Sequence, residues 1–322
     1  MKPFKRVLFI LDPLEKLDPE TDTSLALLSN LAARGYETWS VDIPGISIDS
    51  KGVIVAGRVV SPARHGQFTL LKKTESIRLN EFGLVLVRKE PPFDEGYLAM
   101  TYMLEMGTDK TFLSNDPRAI RNNNEKMSIF HFSHWIPKTL ATTSPALILS
   151  FQKKLGKPLV IKPLDEKGGH GIFKLPVNSP AARARLARAS KQGRKPLQAQ
   201  EFLSGKSLAG EKRILILNGQ FLGAYEKIAQ KNEFRANLGL GGMIRKTSLT
   251  EREKALTSEI GRYSKSQGLH LVGLDVLQEK LIEINVTCPS GLLDLKLLEP
   301  QLEPVKAWAD YLERAAQKKW KR

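Results

Sequence analysis

Short apolar runs and amphipathic segments alternate along the first ninety residues of the chain. Residues 6–11, 36–43 and 83–88 are apolar runs rich in β-branched and aromatic positions, which predict buried strands. Between the first two runs, residues 23–34 have the spacing of apolar positions that is typical of a helix, and Gly35 follows as a stop signal. This order of elements predicts the beginning of a βαβ sheet.

The rest of the chain contains further strand and helix patterns. Residues 45–80 alternate β-like pieces with turns and predict a hairpin insertion, and Pro117 opens a helix. No internal repeat or low-complexity linker separates the later regions, so we expect them to pack as one body. The later predicted elements are helices at 145–155, 180–191, 250–267 and from about 304, and strands at 158–164, 213–218, 221–228, 272–277 and 281–286.

Composition predicts a globular protein of two or three domains. The chain has 322 residues with 41% hydrophobic content, and a domain contains about 150 residues. No apolar stretch approaches the roughly 18 residues that a membrane span needs, and the N-terminal apolar run is too short for a signal peptide. The single cysteine, Cys288, excludes an internal disulfide. We therefore expect a cytoplasmic protein with no membrane partner.

The chain carries a large excess of positive charge. Its formal net charge is +16, from 50 Lys and Arg against 34 Asp and Glu. Such an excess can indicate a nucleic acid, an anionic surface or polyanionic small substrates. The basic residues of the segment 183–195 lie in an Ala-rich helical pattern and those of 318–322 form a tail, without interleaved aromatic residues that could stack on bases. The distribution favours solvated surfaces and disfavours nucleic acid as a partner.

Residues 162–174, KPLDEKGGHGIFK, contain more glycine than a hairpin needs. The apolar residues on either side predict two paired strands, and Gly168, Gly169 and Gly171 would let the backbone approach a ligand closely. The spacing matches neither the P-loop pattern GxxxxGK[ST] nor the dinucleotide pattern GxGxxG. Taken alone, the segment does not decide between an ordinary turn and a phosphate-binding loop.

Polar residues on the last two predicted strands suggest a metal site. Glu283 and Asn285 are two positions apart on one strand, so their side chains point to the same face. Asp275 lies on the neighbouring predicted strand. Mg²⁺ prefers a few protein oxygens and completes its coordination with phosphate and water. These three residues therefore form a plausible magnesium site.

The same segments carry a resemblance to a known family. The chain resembles prokaryotic glutathione synthetase, a member of the ATP-grasp ligase superfamily. The matching stretches occur in order between residues 7 and 291, and they are FILDPLE with TDTSLALL, VLVRKEPPFD, LSNDPRAIRNNNEKM, VIKPLDEKGGHGIFK, GEKRILILNG, FRANLGLGG and VGLDVLQEKLIEINVTCPSG.

The resemblance implies an α/β protein with an ATP-grasp fold. Its expected parts are an N-terminal Rossmann-like (pre-ATP-grasp) substrate domain at 1–123, a small lid at 124–203, and a C-terminal α+β domain at 204–322 that carries the metal ligands. ATP would lie between the last two parts. The family is often oligomeric, so a homo-oligomer is a possible assembly.

The resemblance also implies roles for single residues, with ATP as co-substrate and Mg²⁺ or Mn²⁺ as the metal. The matched positions for ATP are Lys126, Lys162, Gly168, Gly169, Gly171, Gln200, Glu201, Phe202, Leu203 and Glu211. Those near the peptide substrate are Asp22, Thr23, Ser24 and Arg88, and those for the metal are Asp275, Glu283 and Asn285. Arg213 and Arg235 match catalytic cations, and residues 239–242 match a loop that closes over the intermediate. Asp22 and its neighbours would also cap the first helix.

The implied activity is ATP-dependent joining of γ-glutamylcysteine and glycine through an acyl phosphate. Three departures from the family pattern concern the substrates and the lid. Glu166 and Lys167 follow Asp165 where the family has glycine, residues 290–294 read SGLLD where the family has an arginine, and RANL replaces RGNL. Two alternatives therefore stay open: a related ligase with a different acid or amine, and a catalytically silent ATP-binding regulatory protein.

Overall fold

Three β-sheets with helices packed on them make up the described part of the chain. The structure is a computed structural model. It describes residues 5–62, 68–70, 73–107, 110–203, 210–230, 233–236 and 241–321. The sheets are called the N-terminal, middle and C-terminal sheets below.

The N-terminal sheet is built around parallel strands whose two faces are both buried. Its described strands are β1 (Arg6–Ile10), β2 (Glu37–Val41), β3 (Ile46–Asp49), β4 (Gly52–Pro62), β5 (Phe68–Leu70), β6 (Glu75–Arg78), β7 (Leu84–Val87) and β8 (Phe112–Ser114). Strand β1 pairs in parallel with β2 and β7, and β7 with β8. Strands β3 to β6 form the predicted antiparallel insertion around β4. Apolar residues of β1 alternate between two separate cores, as expected for a sheet covered on both faces.

Three helices accompany this sheet: α1 (Thr23–Ala33), α2 (Glu95–Glu105) and α3 (Pro117–Asn122). The predicted cap of α1 is confirmed, because the Asp22 carboxylate accepts a hydrogen bond from the Leu25 backbone N–H at 2.8 Å. Helix α2 is not among the predicted elements. Its sequence, EGYLAMTYMLE, contains a glycine and several aromatic and β-branched residues that weaken the helical signal, and Asp94 caps it in the structure.

The middle sheet is antiparallel and has its own small core. Its strands are β9 (Thr139–Thr142), β10 (Leu159–Pro163), β11 (Phe173–Leu175) and β12 (Leu197–Glu201), and its helices are α4 (Pro145–Leu155) and α5 (Pro180–Ala189). Residues 164–172, which join β10 and β11, are called the glycine segment below. The two strands pair on either side of it, which confirms the predicted hairpin. Arg185 of α5 lies over the Phe173 ring at 4.4 Å, while Arg183 and Arg188 are exposed.

The C-terminal sheet is antiparallel, in the order β15–β14–β13–β16–β17. Its strands are β13 (Glu211–Leu217), β14 (Gln220–Ile228), β15 (Met243–Lys246), β16 (Leu271–Leu277) and β17 (Lys280–Asn285). The remaining helices are α6 (Glu251–Gln267), α7 (Leu292–Leu298) and α8 (Pro304–Trp320). Helix α6 covers one face of this sheet, where Leu256 and Ile260 join a core with Ile214 and Leu274.

The N-terminal and C-terminal sheets share one core. Helices α7 and α8 lie between them, and Trp308 of α8 packs in the same cluster as Phe9, Leu28 and Leu215. Helix α7 is not among the predicted elements, since its sequence LLDLKLL has no amphipathic period over a helix's length. None of the helices in the described ranges combines the length and apolar character that crossing a bilayer requires.

One buried amide connects the two sheets. Asn115, after β8, donates Nδ2–H to the carbonyls of Leu271 and Val286, both at 2.8 Å. Its Oδ1 accepts hydrogen bonds from the backbone N–H groups of His270 and Leu271. The Asn115 side chain donates two hydrogen bonds and accepts two, and these four bonds fix the ends of β16 and β17 against the N-terminal sheet.

Replacing Asn115 is expected to destabilise the protein strongly. Asn115→Leu would leave four buried backbone groups without partners, each costing about 1–3 kcal/mol, so the free energy of unfolding should fall by about 3 kcal/mol or more. Urea denaturation measures the change. The matched control is Asn122→Leu at an exposed position, which should change stability by less than about 0.5 kcal/mol. Equal stability of the two variants would contradict the role of Asn115.

Candidate active site

A cavity of about 740 Å³, here called the main cavity, lies between the middle and C-terminal sheets. Strands β10 and β12 contribute one wall, and β13, β14, β16 and β17 contribute the other. All of the predicted ATP, catalytic and metal residues line it except Gly171. Gly171 has φ +68°, and a Cβ there would lie 2.8 Å from Cγ of Pro163. The structure therefore explains that glycine by close packing against the preceding strand.

Two lysines enter the main cavity from different directions. Lys126 Nζ lies 3.1 Å from Glu283 Oε1 and donates a hydrogen bond to the Glu166 carbonyl at 2.7 Å. Burial opposes the charge of Lys126, but the Glu283 and Glu125 carboxylates together outweigh it and raise the pKa of the lysine. Lys162 Nζ donates to Gln200 Oε1 at 3.0 Å and to the Ile282 carbonyl at 3.2 Å. Burial lowers the pKa of Lys162, although neighbouring carboxylates act in the opposite direction.

A buried cluster of opposite charges forms the floor of the main cavity. Asp275 accepts hydrogen bonds from Arg213 through both carboxylate oxygens, at 2.8 and 3.1 Å, and from Lys227 Nζ at 2.9 Å. Lys227 also pairs with Glu211. Residues 213 and 275 are direct cross-strand partners, as are 211 and 227, so all four side chains share one face of the sheet.

The charges of this cluster stabilise one another. Burial would raise the pKa of Asp275, but Arg213 and Lys227 outweigh it and hold that pKa well below its usual range. Burial raises the pKa of Glu211, with Lys227 acting in the opposite direction. Lys227 is a candidate site residue that the sequence interpretation missed. The sequence feature that could have indicated it is a lysine at an inward-facing position of an apolar strand, two residues from Tyr225.

The candidate metal ligands converge beside this cluster. Asp275 and Glu283 are cross-strand partners on β16 and β17, and Asn285 Nδ2 lies 3.2 Å from Asp275 Oδ2. Within the described ranges, no group of three or more His, Cys, Asp or Glu side chains gathers as a metal site. Two carboxylates and one amide oxygen nevertheless form the hard oxygen set that Mg²⁺ prefers. Glu283 fits best, because its carboxylate is partly exposed and, among the described residues, Lys126 is its one ion-pair partner.

One part of the main cavity is aromatic and apolar. Phe202, just after β12, has its ring centroid 6.1 Å from that of Phe234 at a steep angle. Lys174 Nζ lies 3.9 Å from the centroid of the Phe202 ring. Val160, Ile172 and Ile282 add apolar surface. A flat ligand group is therefore favoured in this part of the cavity.

The glycine segment covers one side of the main cavity. Gly168 and Gly169 have φ of +61° and +79°, a backbone conformation that favours glycine. Arg235 Nη1 donates a hydrogen bond to the Gly169 carbonyl at 3.0 Å and pairs with Glu233. The predicted closing loop at 239–242 is only partly described: Gly239 and Leu240 lie outside the described residues, and neither Gly241 nor Gly242 is among the residues that line the cavity.

A second cavity of about 400 Å³ adjoins the main cavity on the side of the N-terminal sheet. Of the predicted substrate residues, Asp22, Thr23 and Arg88 line it. Ser24 does not, but its Oγ accepts a hydrogen bond from Arg88 Nε at 2.9 Å. Four residues line both cavities, so the two spaces are neighbours; they are Glu90, Lys167, Cys288 and Ser290.

Arg88 is a buried cation without a carboxylate partner. Arg88 is only 3% exposed, and its guanidinium lies over the Trp308 ring at 5.2 Å. Among the residues that the structure describes, no Asp or Glu forms an ion pair with it. Because a buried charge is costly when unpaired, the second cavity is well suited to an anionic ligand group.

The neighbourhood of Cys288 contains no activated thiol. Its Sγ donates a hydrogen bond to the Arg88 carbonyl at 3.2 Å, and burial raises the pKa of the thiol. His270 lies between the Phe112 and Tyr311 rings, and burial lowers its pKa to about 4. The raised pKa disfavours the thiolate of Cys288, and His270 is not among the residues that line either cavity.

The segment that follows Pro289 differs from the expected arginine-containing pattern. Leu293 packs against the core shared by the two large sheets. Asp294 faces the main cavity and accepts a hydrogen bond from Tyr225 Oη at 2.9 Å. The position where the family has an arginine thus contributes no cation, and the charge beside it is negative.

Comparison with known proteins finds the same family along nearly the whole chain. The model for the prokaryotic glutathione synthetase N-terminal domain matches residues 6–121, and that for the ATP-grasp domain of the same family matches residues 125–299. The glutathione synthetase of Prochlorococcus marinus subsp. pastoris is 33% identical over 294 residues, which cover 91% of this chain and 94% of that protein. That of Thermosynechococcus vestitus is 34% identical over 315 residues, covering 94% and 98%.

Solved structures of other ligases share the fold. D-cycloserine synthetase DcsG superposes with a TM-score of 0.65 at 16% identity, covering 95% of this chain and 99% of that one. The ATP-grasp ligase PsnB, complexed with a minimal precursor, Mg and ADP, gives a TM-score of 0.61 at 17% identity and covers 97% of each chain. These likenesses confirm the predicted ATP-grasp fold. Since the family models and the relatives above extend over most of its length, the chain belongs to the prokaryotic glutathione synthetase family.

Proposed function

We propose that the chain is an ATP-dependent ligase that joins γ-glutamylcysteine to glycine and releases ADP and phosphate. The observation that carries this proposal is that the two cavities are neighbours with shared walls. The main cavity is surrounded by cations suited to a triphosphate, and it adjoins a second cavity where Arg88 is buried without a carboxylate partner among the described residues. An acidic peptide in the second cavity could therefore present a carboxylate to the terminal phosphate of ATP.

The polarity of the main cavity supports one orientation of ATP. Lys126, Lys162 and the glycine segment would contact the phosphates, because they supply charge and close backbone approach. Adenine would occupy the aromatic part, against residues 200–203, with the ribose near Glu211. Asp275, Glu283 and Asn285 would hold Mg²⁺, whose charge would neutralise the phosphate oxygens when it is bound.

The proposed reaction needs cations rather than a protein nucleophile. A carboxylate of γ-glutamylcysteine attacks the γ-phosphorus, and ADP leaves as an acyl phosphate forms. The amine of glycine then attacks the acyl carbon, and phosphate leaves. Arg213 would stabilise the charge that develops at both steps, since the Asp275 carboxylate, against the effect of burial, raises the pKa of this arginine and keeps it protonated. Arg235 and the glycine segment would exclude water from the reactive intermediate.

The domain boundaries proposed for this reaction are 1–123, 124–203 and 204–322. The second boundary falls beside residues 204–209, outside the described residues. We also propose that the reaction takes place in the cytoplasm, where ATP is available.

A related ligase with a different acid or amine is a second candidate. It is favoured by one observation: Leu293 and Asp294 replace the expected arginine and its surroundings, and Asp294 faces the main cavity. A substrate carboxylate that lacks a cationic partner in the site is bound poorly, so the loss of the arginine would change which acid or amine is preferred. A panel of acids and amines, assayed by phosphate release, distinguishes the two candidates.

The dependence of ADP formation on each substrate tests the proposed function. Rapid ADP formation is expected only when ATP, Mg²⁺, γ-glutamylcysteine and glycine are all present, because the acyl phosphate forms from the acid and is consumed by the amine. Each component is omitted in turn, and glutathione is identified by mass spectrometry. An ADP rate that does not change when γ-glutamylcysteine or glycine is omitted would show that the substrate assignment is wrong.

Removing the charge of Glu283 is expected to abolish turnover without unfolding the protein. Glu283→Gln keeps the size of the side chain but loses a metal ligand and the partner of Lys126, so kcat should fall about 100-fold or more. Steady-state kinetics and thermal unfolding measure the two effects. Glu279→Gln in the same β16–β17 turn, whose carboxylate accepts a hydrogen bond from Thr250, is the control and should keep normal kcat. Near-normal ligation by Glu283→Gln would refute the metal assignment.

The lowered pKa of Lys162 predicts how nucleotide affinity depends on pH. Lys162 binds phosphate only when protonated, so affinity for ADP should be constant at low pH and fall as pH rises through a pKa below the ordinary value of 10.5. Lys162→Arg keeps its charge at every accessible pH and should lose this alkaline decrease. Calorimetric titrations of both proteins between pH 7 and 10 measure it. Identical pH profiles would rule Lys162 out as the titrating group.

A further inference from the structure

Lys167 and Glu90 form an ion pair in the wall that the two cavities share. Lys167 Nζ in the glycine segment lies 2.9 Å from Oε2 of Glu90, which follows β7 of the N-terminal sheet. Both residues line both cavities. Their side chains are 43% and 30% exposed, so the pair is weak and easily exchanged for other partners.

Lys167 differs from the other cations of the main cavity in where its partner comes from. Arg213 and Lys227 are paired within the C-terminal sheet, Arg235 pairs with nearby Glu233, and Lys126 pairs with Glu283 of β17. Lys162 has no carboxylate in ion-pair contact among the described residues. Lys167 alone in this described set is neutralised by a carboxylate that also belongs to the second cavity.

Glu90 is also set apart from the other carboxylates that line the second cavity. Asp12 is paired with Lys89 at 2.8 Å. Asp18 accepts a hydrogen bond from Thr21 Oγ1 at 2.7 Å, and Asp22 caps helix α1. These partners of the three carboxylates all lie in the N-terminal part of the chain. The partner of Glu90 comes from the loop that would cover the nucleotide phosphates.

The glycine segment can keep its position while the Lys167 side chain moves. Asp165 and Glu166 are both paired with Lys195, at 2.9 and 3.6 Å. The Asp165 carbonyl accepts a hydrogen bond from the Phe93 backbone N–H, and that of Glu166 accepts one from Lys126. Because these contacts hold the turn, Lys167 can change partners by a side-chain rotation.

We propose that Lys167 exchanges Glu90 for a nucleotide phosphate, and that the released Glu90 carboxylate then binds the ammonium group of the acid substrate. The inference rests on the proposed function, since it takes γ-glutamylcysteine as that acid. Arg88 would bind the substrate's carboxylate in the same cavity, so the cavity would recognise an amino-acid end by both of its charges. Nucleotide and acid would thereby strengthen each other's binding, by the same factor in both directions.

Calorimetric titration of a non-hydrolysable ATP analogue with Mg²⁺, with and without saturating γ-glutamylcysteine, tests this coupling. The wild-type protein is expected to bind the analogue at least about fivefold more tightly when the acid is present. Lys167→Gln should bind the analogue more weakly and show less than a twofold effect of the acid. Lys167→Arg should restore the coupling. Glu90→Gln should lose the coupling while binding the analogue alone no less tightly than wild type.

Lys195→Gln is the matched control, because it removes ion pairs from the same turn without lining either cavity. It should retain the wild-type coupling. Loss of coupling in Lys195→Gln equal to that in Lys167→Gln would overturn the inference, since loop docking would then explain the effect. Coupling that persists in Lys167→Gln, or that is absent from the wild type, would overturn it as well.

Turnover separates this inference from the proposed function. A wild-type protein that makes glutathione but binds the two substrates without coupling refutes only the exchange of Lys167. A wild-type protein that forms no ADP with γ-glutamylcysteine and glycine refutes the proposed function, and the inference with it.

Discussion

The contact between Arg213 and Asp275 is the interaction on which the arrangement of the site depends. Both residues are buried on the inner face of the C-terminal sheet, where removing a charge from water is costly unless a partner compensates. The bidentate pair, extended by Lys227 and Glu211, satisfies that requirement before any ligand is bound. Positive charge can therefore be kept at a buried position on the wall of the main cavity.

The cost of burying an unpaired charge also explains how apolar and charged residues are distributed on the inner face of the C-terminal sheet. Toward one end of the face, Leu215 and Tyr225 pack in the core shared with helices α7 and α8. Toward the other end, charged cross-strand partners line the main cavity. Asn115 fixes this sheet against the N-terminal sheet through four hydrogen bonds, and the second cavity forms on the N-terminal side of the site. The relative position of the two cavities is thus a consequence of core packing and one buried amide.

Part of the candidate site was accessible from the regular period of the strands, and the other candidate residues came from the family resemblance. Glu283 and Asn285 were predicted to share a face, and both line the main cavity. The glycine segment was predicted to join two strands, and β10 and β11 pair on either side of it. Gly171 was assigned to the nucleotide; it does not line the main cavity, and a Cβ there would lie close to Pro163. Helix α7 was missed because its apolar run has no helical period, although its packing partners stabilise it.

The sequence by itself determined the central strands, most of the long helices and the chemical types of the candidate site residues, because these follow from local periodicity and from matches at fixed positions. Only the tertiary structure decided which charges meet. Lys227 reaches Asp275 across 48 positions, and Lys167 reaches Glu90 from a different sheet. Such contacts depend on strand order and on how the sheets pack together, and a linear pattern of residues contains neither. Whether a buried cation has a carboxylate partner, as Arg213 has, or none among the described residues, as for Arg88, is therefore a property of the folded chain alone.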